Sequence, residues 1–143
     1  MKIRVLESLW QGFFKINMGK LQHCQNKVLG RKGEGIAVKL LQEKGLTILE
    51  TNWIYDRKEL DIIALDGDLL VIIEVKSRTW ERYEDPADSI TDAKIRNILE
   101  ATEAYMFKNN IDREVRFDLV SNIFYKDHVD TQHIPSAFTP MAE

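Results

Sequence analysis

Apolar and polar positions change their period several times along the chain. From Gly30 to Lys44, "GRKGEGIAVKLLQEK" sets Ala37, Val38 and Leu41 at helical spacing, with Glu34 near the start and Gly45 behind as a stop. That spacing predicts a helix. "LTILETNWIYD" carries the β-branched and aromatic content of a strand running into a bend. From Glu59 to Arg78, "ELDIIALDGDLLVIIEVKSR" reads as two strands about an Asp66-Gly67 turn, because glycine takes a positive φ without steric cost. "TWERYEDPAD" has charges, a proline and no period, and reads as a mobile loop. A second helix starts near Thr91, since Ile95, Ile98, Leu99, Thr102, Tyr105 and Met106 form one stripe ending before "NNID". "EVRFDLVSNIFY" supplies one or two more strands, and "HIPSAFTP" closes as proline-marked irregular chain. The order predicts an α/β fold, a central mixed β-sheet flanked by helices on both faces.

The hairpin is unusual because its apolar run carries Glu59, Asp61, Glu74 and Lys76. Side chains alternate along a strand, so an even loop puts these four charges on one face with Ile63 and Ile72. Leu60, Ile62, Ala64, Leu69, Val71, Ile73 and Val75 then fill the other. A two-residue Asp66-Gly67 loop places Asp61 diagonal to Glu74; a four-residue loop places them directly opposite, with the same faces. Either way, two carboxylates crowd a half-buried end of the sheet, where they resist ionisation unless a positive charge intervenes. One reading is a cross-strand ion-pair cluster with Lys76. Against it, three carboxylates meet one lysine, a deficit suited to a divalent cation, and Glu34 lies on the helix stripe that faces the sheet.

The chain has 143 residues, 44% apolar and 30% charged, which fits one globular domain. Its net charge of -3 hides an asymmetry, because residues 1–60 carry +5 and residues 61–143 carry -8. Bulk coating of nucleic acid is excluded, and any basic surface lies mostly in the first half. With one cysteine, Cys24, and scattered His23, His128 and His133, the chain has neither a disulfide framework nor zinc-type spacing. No apolar run is long enough to span a bilayer, and "MKIRVLESLWQGFFKI" lacks a signal peptide's pattern. We expect a cytoplasmic protein in which residues 1–22 are a dispensable extension and 23–143 form a single domain.

Asp61 followed by "EVK", Glu74-Val75-Lys76, resembles the signature of the PD-(D/E)xK nuclease superfamily: an Asp on one strand and Glu-x-Lys on the next. Taken with "GRKGEGIAVKLLQEKGLTILETNW", "DAKIRNILEATEAY", "RFDLV" and "HIPSAF", it looks like the YraN family, related in fold to archaeal Holliday junction resolvases. The resemblance covers roughly residues 23–143 and implies a restriction-endonuclease-like core. It further implies a metal-dependent site with Glu34, Asp61 and Glu74 as carboxylate ligands, the Val75 carbonyl as a fourth, and Lys76 beside the attacking water. Glu59 matches as a supporting residue. Leu60 stands where Ile is usual, and Gly35 where a larger residue would pack the helix better. Residues 1–17 look like an extra in this family, which leaves Met18 as an alternative start.

The resemblance makes the catalytic set Asp61, Glu74 and Lys76, with Mg2+, or Mn2+ in its place, as the cofactor. Lys76 would orient the water or offset charge on the phosphate. Arg31, Lys32, Arg57, Lys58, Arg78, Arg82 and Lys94 are candidate phosphate contacts, and Trp53, Tyr55, Trp80 and Tyr83 are interleaved aromatics. Core packing is the expectation for Trp53. The leading function is an endonuclease for branched, damaged or single-stranded DNA; the alternative is a nucleic-acid or protein adaptor that keeps the fold without turnover. A symmetric homodimer is expected by analogy with the resolvases.

Overall fold

The computed structural model describes residues 2–82 and 90–139, with residues 2–19 described by backbone alone. Its elements are α1 (Lys2–Glu43), β1 (Thr47–Tyr55), β2 (Lys58–Asp66), β3 (Leu69–Thr79), α2 (Asp92–Lys108), β4 (Val115–Phe124) and β5 (Val129–Ile134), with one 3₁₀ turn at Trp80–Arg82. The strands form one sheet in sequential order; β3 pairs parallel to β4 through the α2 crossover, and every other pair is antiparallel. This is an α/β fold with a mixed sheet, consistent with a restriction-endonuclease-like core.

Two apolar clusters sandwich the sheet. Ala37 and Leu41 of α1 pack on Ile62, Ala64, Val71, Ile73 and Val120. On the other face, Ile98, Ala101 and Tyr105 of α2 pack on Leu60, Ile63, Leu70, Ile72 and Phe117. The α2 stripe read from the sequence is the buried face, and Thr91 caps the helix by accepting the Lys94 N–H at 3.2 Å. Trp53 meets Tyr105 edge-on at 5.1 Å, as a core residue does.

Several local expectations need correction. Helix α1 does not begin at Gly30 but runs unbroken from Lys2. Within this helix Gly33 has a packing reason. A β-carbon there would overlap Ser77 Oγ and crowd Asn122 Nδ2 at 2.9 Å, so its absence lets α1 settle on β3. Gly35, by contrast, looks into open space and weakens no contact. The hairpin turn is also displaced: Asp66 pairs with Leu69, so Gly67, at φ 58°, and Asp68 form the loop. That register carries Asp61 opposite Glu74, the arrangement the longer loop would have produced. β5 begins in a stretch to which the sequence assigns no element and takes in His133 and Ile134, the start of the segment expected to be irregular. Residues 83–89, which hold Tyr83 and most of the expected loop, lie outside the described residues.

Strict alternation fails at Asp61. Leu60 packs with Ile63 on the α2 face, not with Ile62 on the α1 face. The cause lies across the strand pair. Asn52 of β1 takes φ 52°, a left-handed conformation between the pairs Thr51↔Ile62 and Trp53↔Leu60. Beyond this kink Lys58 reaches Glu100 of α2 at 3.0 Å, while the charge of Glu59 is felt by Glu34 on α1. Glu59 therefore does not share a face with Glu74.

Candidate active site at a fork in the sheet

The β2–β3 ladder ends at Ile62↔Ile73. Outward from there β2 stays with β1 as far as Tyr55↔Lys58, and β3 stays with β4 as far as Thr79↔Phe124. The sheet thus forks, and Asp61 and Glu74 are the first residues past the last shared rung. Across the gap the Val75 N–H donates to Asp61 Oδ2 at 2.8 Å, so a side chain replaces the missing ladder bond. The apolar residues before the fork are buried on both faces, which fixes the two carboxylates to within a residue of register.

Both acids are withdrawn from water, Asp61 with 9% and Glu74 with 4% of its surface exposed. Glu74 is pushed up to about 7, first by burial and then by the charge of Asp61; Lys94 and Lys76 pull it the other way. Their ammonium groups lie 3.3 and 3.9 Å from the same oxygen, Glu74 Oε1. Lys76 keeps its expected place beside Glu74. Lys94, expected to face phosphate or the carboxylate cluster, reaches the carboxylate from the first turn of α2.

Glu34 stands slightly apart on α1. Burial raises its pKa, the charges of Asp61 and Glu59 add to that, and a hydrogen bond to Asn52 opposes it. It belongs to the same electrostatic neighbourhood, yet among the described residues no three Asp, Glu, His or Cys side chains converge as a metal-holding group. Asp61 and Glu74 form the pair at the fork, and Glu34, the expected third carboxylate, lies within the electrostatic reach of Asp61. A pair is chemically sufficient for Mg2+, which keeps several waters and is commonly held by one or two carboxylates together with substrate phosphate. Asp61, Glu74 and the Val75 carbonyl oxygen are hard oxygen donors of the right kind, and a buried carboxylate that resists ionisation gains most from a nearby cation.

Of the other basic candidates, Arg31 and Lys32 are exposed on α1 beside Glu34, and Arg57 is exposed in the β1–β2 turn. Lys58 is engaged with Glu100 and Asp56. Arg78 and Arg82 line a polar groove of about 370 Å³, whose opposite wall is Gln22, Asn26 and Leu29 of α1. This groove borders β3 at Ser77, Arg78 and Thr79 on the face where α1 packs, whereas Glu74 meets Lys94 of α2 on the other face, so the outer part of α1 adds to the surface near the end of β3. Trp80 is exposed there, whereas Tyr55 stacks on Trp53 at 6.2 Å on the α2 side.

Two contributors were missed in the sequence. Asn52 kinks β1 and anchors Glu34; its signal was an Asn inside a β-branched run, a residue type that tolerates left-handed backbone. Asn122, fully buried in β4, donates from Nδ2 to the Gly33 carbonyl at 3.1 Å and to Ser77 Oγ at 3.2 Å, and accepts from Thr131 Oγ1 at 2.8 Å. It ties α1, β3 and β5 together just behind Lys76.

Comparison with known proteins agrees on one family. The model of "Uncharacterised protein family UPF0102" matches residues 33–121, a span that includes Glu34, Asp61, Glu74, Lys76 and Lys94. A UPF0102 protein of Flavobacterium psychrophilum is 39% identical over 115 residues, covering 80% of this chain and 97% of that protein. One from Phocaeicola vulgatus is 40% identical over 117 residues, covering 82% and 97%. Another, from Geobacter metallireducens, is 40% identical over 114 residues, covering 79% and 93%. Among the described residues no helix is long and apolar enough to cross a membrane.

Proposed function

The chain belongs to the uncharacterised protein family UPF0102, and from the chemistry of its forked sheet we propose that it is a metal-dependent endonuclease hydrolysing phosphodiester bonds in branched or damaged DNA. The observation that carries this reading is the meeting of Asp61 and Glu74 at the fork, with Lys76 following on the same strand. The resemblance to the YraN family and the PD-(D/E)xK superfamily supports it, as does the restriction-endonuclease-like order of the sheet.

Asp61, Glu74 and the Val75 carbonyl would hold Mg2+, or Mn2+ in its place. When bound, such an ion supplies Lewis-acid neutralisation of a phosphoryl oxygen and a more acidic water. The chain's own residues do the rest. Val75 N–H holds one oxygen of the Asp61 carboxylate at 2.8 Å and so fixes its position across the gap from Glu74. Lys76, with its side chain about a third exposed, brings an ammonium to the rim of the gap, where it offsets charge developing on phosphate. Arg78 and Arg82 in the groove beside β3 provide a path for the polymer backbone.

The test is incubation with linear, nicked and four-way branched DNA at low salt, with Mg2+ or Mn2+, beside Asp61→Asn and Lys76→Ala. Metal-dependent cutting by wild type and none by either variant is the expected result. Absence of both cutting and calorimetric metal binding removes the enzymatic reading. Binding of DNA without cutting favours the adaptor.

A further inference from the structure

Lys94 is in an unfavourable place for a cation. It lies in the first turn of α2, where the helix dipole disfavours positive charge and Thr91 already caps its backbone N–H. What holds it there is Glu74, whose Oε1 is 3.3 Å from the ammonium, closer than Lys76 at 3.9 Å. The two lysines differ in freedom. Lys76 shares a strand with Glu74, and its backbone is fixed in the β3–β4 ladder opposite Ser121. Lys94 comes from another element on a long stem, and its side chain is 34% exposed against 5% for Glu74. Its ammonium can leave the carboxylate for solvent without becoming a buried unpaired charge.

A divalent ion at the fork requires the carboxylate that Lys94 occupies, and two cations compete for one oxygen. We infer that Lys94 is a tethered counter-ion: its ammonium holds Glu74 until a divalent cation takes the carboxylate, and the released side chain then turns to the phosphate of the bound strand. This rests on the reading of the fork as a metal site. It makes Lys94 a positioning residue that sets how readily the site loads and couples loading to polymer binding.

Isothermal calorimetry with Mn2+ alone, at about pH 8.5 so that Glu74 is ionised in every protein, tests the first half. Lys94→Gln and Lys94→Ser, as two neutral variants, bind Mn2+ about tenfold more tightly than wild type, the effect of removing one nearby unit charge. Lys94→Arg and the control Lys39→Gln, at an exposed position of α1, bind as wild type does. Equal affinity of wild type and the neutral variants, or equal tightening by Lys39→Gln, overturns the inference and leaves the metal site standing. No heat from any of these proteins overturns both.

Fluorescence anisotropy on a labelled four-way DNA, in a Lys76→Ala background, tests the release. There Lys94→Gln weakens binding by about tenfold with Mn2+ and by less than about twofold in EDTA, as expected for one phosphate contact made only after release. Equal losses in the two conditions, or no loss with Mn2+, overturn the release.

Discussion

Two buried carboxylates on neighbouring strands meet opposite fates. Asp118 of β4 is wholly enclosed, and it accepts hydrogen bonds from Arg116 Nε at 2.9 Å and the Ser136 N–H at 3.0 Å, with His133 Nε2 2.8 Å from its other oxygen. Burial opposes its ionisation, but these partners prevail and hold its carboxyl below the usual range. Arg116 also binds Asp66 at 2.8 Å, so the cluster ties the β2–β3 turn to β4 and β5. Glu74 is nearly as enclosed, yet it faces another acid and two lysines at longer range, and its carboxyl is pushed up to about 7. A satisfied buried charge specifies structure; an incompletely satisfied one is available for a ligand.

The contrast predicts that activity and stability separate between the two sites. Glu74→Gln or Asp61→Asn lowers DNA cleavage at least about a thousandfold, measured as single-turnover rates, while leaving the melting temperature unchanged or raised because mutual repulsion is removed. A large fall in melting temperature would erase the distinction.

Asp118→Ala does the reverse. It removes the partner of His133 and of Arg116 Nε, leaving Arg116 only Asp66, and costs about 3 kcal/mol of folding stability in urea titrations, with metal affinity of the folded fraction retained.

The pH dependence carries opposite signs. Glu74 has an ordinary value near 4.5 and a folded value of about 7. The native state therefore binds more protons between these limits, and stability falls by up to about 3 kcal/mol as pH rises through that window in EDTA. Glu74→Gln flattens this slope. Asp118 is held below its ordinary value of 3.8, so its contribution is present above that value and is lost on further acidification; Asp118→Asn flattens that acid limb instead. Chemical denaturation across pH reads both. The smallest effect sharpens the role of α2: Thr91→Ala removes the cap that positions Lys94 and costs about 1 kcal/mol of stability, with Mn2+ affinity changed less than by Lys94→Gln.

Much of this was legible in the sequence because the hairpin inward of Ile62 and Ile73 and the helix α2 obey their periods. Ile62, Ile63, Ile72 and Ile73 fix strands buried on both faces, and the stripe from Ile95 to Met106 is the face that packs. That Asp61 and Glu74 are diagonal or direct neighbours follows from loop parity, which survives a wrong turn position because the register shift is even. What failed were features held by specific polar contacts. β5, "VDTQHI", has little apolar alternation and is kept in the sheet partly by Thr131 on Asn122 and His133 on Asp118. The face exchange at Leu60 depends on one left-handed Asn52. In the sequence "RFDLV" reads as part of a strand, and nothing is drawn from Arg116 and Asp118, although two residues apart on a strand share a face.

The fork also divides the sheet mechanically. Inward of Ile62↔Ile73 the strands form one continuous plate; outward, β1–β2 is one arm and β3–β4–β5 the other. The turn at Asp56 and Arg57, with φ of 44° and 63°, closes the tip of the first arm far from any rung that sets the register of the plate. Lengthening or replacing that tip changes the reach of one jaw without moving Asp61 relative to Glu74. On the proposed nuclease reading, the same scaffold can therefore be refitted to polymers of different width while Asp61 and Glu74 stay in place.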